Sequence, residues 1–347
     1  MNKIIQQDME YMYQSQIELW ELLRDKTVLI TGAYGMLQSY MVYMLIYLNE
    51  KKHDYNIQII TIVRNCEKLK VRFGDFVDRS YFHVIQEDVC QPISYEGKID
   101  YIIHGASPAS SQYYDVNPTG VFMPNILGTY YTLELAKEKR TKGYLFFSSG
   151  EIYGQINKDI IYESDCGIID STDIRSCYGE GKRAGETMCK CYQHQYGIKT
   201  YMVRPCHTYG PTMNLKNDSR VFAEFVSNIV NHQNIQMKSD GTATRIFCYI
   251  ADAVLGYFDV LLKGVPGEAY NVANEEGRCS IRELADMLCK LYPEEHLKVV
   301  FAQHENNYLE NQHKIHPLYS TQKLRKLGWT PSFSIEDGFK RTIESFR

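Results

Sequence analysis

The stretch Lys26-Thr-Val-Leu-Ile-Thr-Gly-Ala-Tyr-Gly-Met-Leu-Gln-Ser-Tyr-Met-Val-Tyr-Met-Leu45 decides the fold. Its apolar, β-branched beginning, Thr27 to Thr31, predicts a buried strand. Gly32 and Gly35 follow at once, and an apolar helix is predicted from Met36 to about Leu48. A strand that feeds a helix through a glycine turn presents backbone N–H groups at the positive end of the helix, and this geometry holds a pyrophosphate.

The glycine turn departs from the dinucleotide-binding pattern at its third position, where Gln38 stands in place of glycine. That position serves close packing of the helix on the strand, so a side chain must be accommodated there. Two glycines in a turn are a weak signal, and a strand–turn–helix that binds no cofactor is the alternative. If a cofactor binds, we expect Tyr34 and Met36 to contact it beside the two glycines.

Composition excludes several classes of protein. The chain has 347 residues and a formal net charge of −4 without a block of Lys and Arg, so neither nucleic acid nor an anionic membrane is the expected partner. The N-terminus is too polar for a signal peptide, and the most apolar stretch is too short to span a bilayer. The 10 cysteines lack the paired spacing of a metal site. They indicate free thiols in a reducing cytoplasm and predict no metal.

Strands and helices alternate along most of the chain. Residues 3 to 24 predict an amphipathic helix, so residues 1–25 are expected to form a helical extension before a dinucleotide-binding domain at 26–205. Residues 206–347 are expected to be mainly an interleaved substrate lobe, with about 243–272 returning to the first domain. The further predicted strands are Ile57 to Val63, Tyr81 to Gln86, Ile99 to His104, Tyr144 to Ser148 and Lys199 to Val203, and the long helices are Thr119 to Lys139 and Cys177 to Tyr196. This alternation implies right-handed crossovers and a parallel, doubly wound α/β sheet.

Several residues with a possible role in binding stand where predicted strands end. Ligands of doubly wound sheets bind at the carboxyl ends of the strands, so we expect the cofactor there. The residues predicted to contact it from these ends are Gly32, Arg64, Asp88, Val89, Ala106, Ser107 and Arg204.

Two motifs carry the predicted chemistry. Ser149 follows a buried strand in Phe146-Phe-Ser-Ser-Gly-Glu-Ile-Tyr-Gly154, and Tyr178 and Lys182 lie four residues apart, on one face of the next helix. A neighbouring ammonium group favours the phenolate and is expected to lower the pKa of the tyrosine, which is near 10 when free. With the serine hydroxyl holding the substrate oxygen, the set can move a proton while a nicotinamide moves a hydride. The alternative is an ordinary surface Tyr and Lys.

With these motifs, the chain resembles the extended short-chain dehydrogenase/reductase family that modifies nucleotide sugars, from about Thr27 to Arg347. It is most similar to UDP-glucuronate decarboxylases. The segments that carry the resemblance are Ala106-Ser-Pro-Ala-Ser110, Arg175-Ser-Cys-Tyr-Gly-Glu-Gly-Lys-Arg183, Thr208-Tyr-Gly-Pro211, Thr244-Arg-Ile-Phe-Cys-Tyr249 and Leu327-Gly-Trp-Thr-Pro331. The resemblance implies a Rossmann fold and catalytic roles for Tyr178, Lys182 and Ser149. It also implies that Tyr178 and Lys182 contact the cofactor and that Ser149 contacts the substrate.

The resemblance also implies a binding site for a nucleotide-diphosphate sugar. Arg245 would hold the diphosphate, and Arg220 and His207 would lie near it, although His207 replaces an asparagine of the family. Ser110, Tyr113 and Gly150 are predicted to line the sugar pocket with Ser149, although Tyr114 is an alternative to Tyr113 and packing is as good an interpretation. By analogy with the family, we expect a homodimer that forms a helix bundle through the 119–139 helix.

Three departures from the decarboxylase pattern bear on the chemistry. Arg64 stands where an acidic residue would bind the ribose of NAD, and it suits the 2′-phosphate of NADP, although it could instead stack on adenine or face water. Lys314-Ile-His-Pro-Leu-Tyr319 lacks the arginine that the decarboxylases use for the substrate carboxylate. Gly150 stands where 4,6-dehydratases carry an aspartic acid.

These departures favour a net reduction: an NADPH-dependent ketoreductase acting on the C4 keto group of a nucleotide-linked 4-keto-6-deoxyhexose such as dTDP-4-keto-6-deoxyglucose. NADP(H) is the preferred cofactor, with NAD(H) as the alternative. Glu151 is either a proton shuttle at C5 or a structural carboxylate. The competing hypotheses are a UDP-glucuronate decarboxylase or 4-epimerase with tightly bound NAD, and a non-catalytic nucleotide-binding regulator.

Overall fold

The computed structural model describes residues 1–52, 55–216, 218, 220–301 and 317–347. The strands are β1 Thr27–Thr31, β2 Gln58–Val63, β3 Phe82–Gln86, β4 Tyr101–His104, β5 Gly143–Phe147, β6 Ile160–Ile161, β7 Thr200–Pro205, β8 His207–Tyr209, β9 Ile235–Met237, β10 Thr244–Tyr249, β11 Ala269–Val272, β12 Arg278–Ser280, β13 Val299–Phe301 and β14 Leu318–Tyr319. The α-helices are α1 Lys3–Ser15, α2 Ile17–Glu21, α3 Met36–Lys52, α4 Cys66–Phe73, α5 Gln112–Val116, α6 Pro118–Met123, α7 Thr129–Lys139, α8 Ser176–Tyr196, α9 Val221–Val230, α10 Ile250–Lys263, α11 Ile281–Lys290, α12 Gln322–Arg325 and α13 Ile335–Glu344.

A seven-stranded parallel sheet in the order β11-β7-β5-β4-β1-β2-β3 forms the centre of the molecule, which confirms the predicted Rossmann-like fold. Its inner strands are apolar on both faces because helices cover both sides; Val28, Leu29 and Ile30 of β1 are fully buried. The chain changes direction across the sheet between β1 and β4, and this switch point opens a crevice at the carboxyl ends of the strands. Since β4 separates β1 from β5, the ends of those two strands lie roughly 10 Å apart.

The N-terminal segment is not the single helix that the sequence predicts. The helix breaks at Gln16, between α1 and α2, and the Gln16 amide donates to the Asp259 carboxylate of α10 at 2.7 Å. The buried Asp8 of α1 accepts hydrogen bonds from the hydroxyls of Tyr40 and Tyr249 and from Arg341. The segment is therefore fixed to α3, β10 and α13 by buried contacts.

The predicted helix from Thr119 to Lys139 is also interrupted, by a π-helical turn over Pro124–Gly128 between α6 and α7. Proline has no N–H for the ladder and collides with the preceding turn, so the helix widens there. The Asn125 amide donates to the Val121 carbonyl at 2.8 Å, and the Thr129 hydroxyl donates to the Asn125 carbonyl at 2.7 Å.

Smaller sheets complete the fold beside the carboxyl edge of the central sheet. They are β12-β10-β8, β13-β9 and β14-β6. β8 directly follows β7 and pairs in parallel with β10, so the later part of the chain is tied to the end of a central strand. Across the described ranges, none of the helices has the length and apolar character needed to cross a membrane.

Candidate active site

The glycine turn after β1 touches the loop after β4. Gly32 has φ +70°, and a Cβ added to it would lie 2.9 Å from the Cα of Ala106. The Gly35 N–H donates to the Gly32 carbonyl at 2.8 Å, and the Thr31 hydroxyl accepts from the N–H groups of Gly105 and Ala106, both at 3.1 Å. Only glycine fits this turn, because any side chain would separate the two loops that form the crevice.

Gln38, which replaces the third glycine of the pattern, is accommodated by a glycine on the opposite side. The side chain is buried against Gly105, and a Cβ at Gly105 would lie 2.1 Å from the Gln38 Nε2. The missing glycine of the helix is thus matched by a glycine after β4, so the helix still packs closely on the sheet. The departure at Gln38 is visible in the sequence, whereas the compensating role of Gly105 depends on how the fold brings the two residues together.

The ends of β2, β3 and β4 place further predicted cofactor residues along the same crevice. Arg64 follows β2 with 63% of its side chain exposed, and its Nη1 lies 3.8 Å from the Asp88 carboxylate that follows β3. Val89, next to Asp88, is buried. The Ser107 hydroxyl is buried and has no hydrogen-bond partner among the residues that the structure describes. A cofactor hydroxyl or phosphate would satisfy it, so the crevice fits a dinucleotide.

The three predicted catalytic side chains converge at the end of β5. Lys182 is only 3% exposed. It donates to the Phe147 carbonyl at 2.7 Å, and its Nζ lies 5.5 Å from the centre of the Tyr178 ring. The Tyr178 phenol hydrogen-bonds Ser149, and its ring stacks on that of Tyr114 with the centres 5.6 Å apart. Of the two tyrosines considered for the pocket, Tyr114 therefore contacts the catalytic phenol, while Tyr113, in the turn opened by Ser110, is exposed.

The expected acidification of Tyr178 by Lys182 is wrong. Burial raises the pKa of Tyr178 to about 12, outweighing the hydrogen bond from Ser149 and the charge of Arg220, which lower it. Burial also lowers the pKa of Lys182 to about 7, although the Glu186 carboxylate opposes this effect. Desolvation disfavours the charged form of both groups, so the phenol is a neutral proton donor at neutral pH.

Arg220 lies between the glycine turn and the catalytic phenol. Its Nη2 is 3.6 Å from the sulfur of Met36, the first residue of α3, and its guanidinium covers the Phe222 ring at 4.6 Å. His207 packs edge-on against the same ring, with the centres 6.3 Å apart. Because the charge of Arg220 also reaches Tyr178, the carboxyl end of β1 and the catalytic set face one cleft.

Tyr319 is a cleft residue that was not among the site residues predicted from the sequence. A Cβ added to Gly150 would lie 2.8 Å from the Tyr319 phenol oxygen. Burial and the Glu151 carboxylate raise the pKa of this phenol, and Arg245 lowers it, so Tyr319 joins the catalytic turn to the predicted diphosphate ligand. Glu151 itself is exposed. Lys314, Ile315 and His316, the segment predicted to lack the carboxylate-binding arginine, lie outside the described residues.

Arg204 has structural partners instead of the predicted cofactor contact. Its guanidinium forms two hydrogen bonds with Glu186, at 2.8 and 2.7 Å, and donates to the Tyr153 hydroxyl at 2.9 Å and the Glu163 carbonyl at 2.8 Å. Four donated bonds leave little of this nearly buried guanidinium for a ligand. The position of Arg204 near the end of β7 favoured a cofactor contact. Its guanidinium is instead held by Glu186, Tyr153 and Glu163.

Comparisons with known proteins agree with this geometry. The model of the NAD dependent epimerase/dehydratase family matches residues 28–273. UDP-glucuronic acid decarboxylase 6 of Arabidopsis thaliana is 32% identical over 321 residues, which cover 92% of this chain and 88% of the relative. UDP-glucuronic acid decarboxylase 1 of Xenopus tropicalis is 30% identical over 93% of this chain and 72% of the relative.

Solved structures share the fold at lower identity. UDP-glucose 4-epimerase of Thermotoga maritima, with UDP-glucose, has a TM-score of 0.75 at 21% identity, covering 92% of this chain and 98% of that one. UDP-glucuronic acid 4-epimerase of Bacillus cereus, in complex with UDP-glucuronic acid and NAD, has a TM-score of 0.74 at 21% identity, covering 92% and 98%. The chain belongs to the NAD-dependent epimerase/dehydratase family.

Proposed function

We propose that the protein converts a nucleotide-diphosphate sugar by redox-neutral chemistry at C4, either decarboxylation of UDP-glucuronate or 4-epimerisation of a UDP-sugar. The observation that carries this proposal is the convergence of Tyr178, Ser149 and Lys182 on a cleft that also contains the glycine turn. The decarboxylase relatives, similar over nearly the whole chain, favour it over the net reduction expected from the sequence.

In this mechanism the protein moves one proton at the C4 oxygen. When bound, NAD supplies the hydride acceptor for C4 and later returns the hydride. Because burial keeps Tyr178 a neutral phenol in the free protein, the phenol first loses its proton to solvent when the ligands bind. The resulting phenolate accepts the proton of the C4 hydroxyl as C4 is oxidised, and the phenol gives it back on reduction. Ser149 hydrogen-bonds the same oxygen, and protonated Lys182 stabilises the phenolate. Proton transfer of this kind contributes about 10²–10⁴-fold to a rate.

The residues around the catalytic set suggest how the nucleotide sugar is held. We infer that Arg245 and Arg220 bind the diphosphate. The charge of Arg220 reaches Tyr178, that of Arg245 reaches Tyr319, and a planar guanidinium fork suits phosphate. His207, Ser110, Tyr113 and Gly150 stay predicted contacts of the sugar nucleotide. Glu151, whose charge reaches Tyr178, is the candidate for proton exchange at C5.

A second candidate is the NADPH-dependent reduction of a 4-keto sugar, and Arg64 favours it. This largely exposed guanidinium stands at the strand end where the ribose hydroxyls of a dinucleotide bind, and its ion pair with Asp88 is long, at 3.8 Å. A 2′-phosphate would give it a bidentate partner.

The assembly and location are proposals of the same kind. We infer a homodimer through a helix bundle, supported by exposed aromatic residues, Tyr130 on α7 and Tyr196 on α8. We also infer a cytoplasmic location, supported by the 10 cysteines, which are all free thiols.

Product analysis tests the proposed function. Purified protein would be incubated with NAD⁺ and UDP-glucuronate or UDP-glucose, and separately with NADPH and dTDP-4-keto-6-deoxyglucose, with products identified by NMR. Release of CO₂ or a C4 epimer without net consumption of cofactor supports the main proposal. Net oxidation of NADPH with the keto sugar supports the second candidate. No turnover with any of them, by protein that binds NAD, contradicts both.

A further inference from the structure

Tyr319 is held rigidly in the cleft by its surroundings. Its strand β14 pairs in parallel with β6, which places Tyr319 opposite Ile161. Its ring lies 5.7 Å from the Tyr153 ring, at the end of the catalytic turn. Asn271 donates to the carbonyls of Ser320 and Ile161, at 3.1 and 3.3 Å, and so joins the two short strands. Backbone and ring are therefore fixed, and the hydroxyl has a defined position.

The hydroxyl of Tyr319 occupies the space above Gly150. The distance of 2.8 Å from the Cβ position of that glycine is too short for any other residue to stand there without displacing the phenol. Gly150 lies between Ser149 and Glu151, so the hydroxyl is adjacent to the group proposed to hold the C4 oxygen. Glycine at position 150, which argues against a dehydratase acid, has a positive explanation: it makes room for Tyr319.

The chemistry of this hydroxyl suits a neutral hydrogen-bond donor to a ligand. The Tyr319 side chain is partly buried. Its hydroxyl makes no hydrogen bond with the residues that the structure describes, so it is available to a ligand. Burial and the nearby Glu151 carboxylate hold the phenol in its protonated form, and Arg245 is close enough to act on it. The hydroxyl thus lies beside Gly150, next to the proposed C4 ligand Ser149, and within reach of the charge of the proposed diphosphate ligand Arg245. We expect the hexose to bind between these two ligands.

We infer that Tyr319 is a specificity-determining residue whose hydroxyl donates a hydrogen bond to the sugar of the substrate, next to C4. This inference rests on the proposed function, because it requires a nucleotide sugar in the cleft. It assigns the residue to recognition of the sugar and not of the nucleotide. A sugar that offers an acceptor to the hydroxyl would bind more tightly than one that does not.

Binding measurements on Tyr319→Phe test the inference, because this variant keeps the ring and removes only the hydroxyl. Protein saturated with NADH, which cannot accept a hydride, would be titrated calorimetrically with UDP, UDP-glucose, UDP-glucuronate and dTDP-glucose. We expect the variant to bind the preferred nucleotide sugar about 3- to 10-fold more weakly, the usual effect of one neutral hydrogen bond, with unchanged affinity for UDP and NADH. Tyr162→Phe, an exposed tyrosine next to β6, is the matched control and should bind as the wild type does.

A double-mutant cycle with Gly150→Ala sharpens the test. The added methyl group displaces the phenol, so the variant should lose about as much sugar affinity as Tyr319→Phe, and the double variant should lose no more than either. If the double variant lost sugar affinity by the product of the two single-variant factors, the inference would be overturned. Wild-type sugar binding by Tyr319→Phe, or an equal loss for UDP and for the nucleotide sugar, would overturn it too. If the wild type bound NADH but no nucleotide sugar, the proposed function itself would fail, and the inference with it.

Discussion

The cleft has two sides that are built differently. The proposed cofactor side, formed by Gly32, Gly35, Arg64 and Ala106, consists of strand ends in the first part of the sheet. The proposed substrate side, formed by Gly150, His207, Arg245 and Tyr319, brings together residues from four separate segments. Local patterns encode the first side, because a strand, a turn and a helix follow one another in the chain. The second side depends on pairing between short strands that are distant in the chain. Substitutions there should therefore alter sugar binding without altering the glycine turn on the first side.

On both sides of the cleft, a glycine makes room for a side chain from another segment. On the cofactor side, Gly105 leaves room for the Gln38 side chain, and on the substrate side, Gly150 leaves room for Tyr319. In each case a side chain from another segment fills the space that a Cβ would take. Variants of these positions should therefore separate the two sides, affecting cofactor binding or sugar binding but not both.

Gly32→Ala should have the largest effect on the cofactor side. The variant combines a left-handed backbone with a contact of 2.9 Å to Ala106, so we expect at least ~3 kcal/mol of lost folding or cofactor-binding free energy. Gly197→Ala is the matched control, since Gly197 has the same φ of +70° and nothing within 4 Å of its Cβ position. NADH titration and thermal unfolding measure both variants. Equal behaviour of the two would refute the claim that the loops must touch.

Gly105→Ala should cost about 1–3 kcal/mol of cofactor-binding free energy, because the methyl group collides with Gln38. Gln38→Gly in the same chain should restore NADH binding by removing the colliding side chain. Nucleotide-sugar affinity serves as the internal control and should stay unchanged. A double variant that binds NADH no better than Gly105→Ala would show that the two residues do not compensate for each other.

His104, at the end of β4, should make stability sensitive to acid. Burial and the charge of Lys182 lower its pKa to about 3, so folding favours the neutral ring. The stabilisation is complete above about pH 6.5, the ordinary pKa of histidine, and is lost as the pH falls toward 3. Between pH 7.5 and 5, His104→Gln should lose ~2 kcal/mol less unfolding free energy in urea than the wild type. The exposed His194→Gln should follow the wild type; an unchanged pH response of His104→Gln would contradict the burial argument.

Arg64→Asp should produce the smallest effect, a shift of about tenfold in the ratio of NADPH to NADH affinity toward NADH, which is ~1.4 kcal/mol. The physical reason is the loss of the guanidinium that a 2′-phosphate would contact. Fluorescence titration with both cofactors measures the ratio. Arg79→Asp, on an exposed arginine before β3, controls for the change in net charge. A ratio unaffected by Arg64→Asp would remove the support for the NADPH-dependent candidate.

The sequence predicted the features that follow from local patterns. The central strands, the glycine turn and the spacing of Tyr178 and Lys182 were predictable because apolar runs and helical periodicity determine them. The break at Gln16 was not, since tertiary contacts decide whether a long amphipathic segment stays one helix. Pro124 is a local signal for the second break, but the prediction continued the helix through it. Arg204 could not be separated from the other predicted cofactor ligands, because its partners Glu186 and Glu163 lie elsewhere in the chain. Tyr319 had no signal at all, because a two-residue strand pairing brings it to Gly150.

The pKa of Tyr178 shows a further limit of sequence patterns. The spacing of four residues correctly places the ammonium and the phenol on one helix face, but it does not reveal that both are buried. Desolvation then sets the direction of both pKa shifts.

The central claim is that the Tyr178 hydroxyl moves the proton at C4 of a nucleotide sugar, and single-turnover spectroscopy tests it most directly. Wild type and Tyr178→Phe, each saturated with NAD⁺, would be mixed with UDP-glucuronate and UDP-glucose while the absorbance of reduced nicotinamide is followed, with the exposed Tyr162→Phe as the control. The account predicts reduced nicotinamide in the wild type and the control, and at least a ~10²-fold slower signal in Tyr178→Phe with both ligands still bound. An equal rate of nicotinamide reduction in Tyr178→Phe would contradict it.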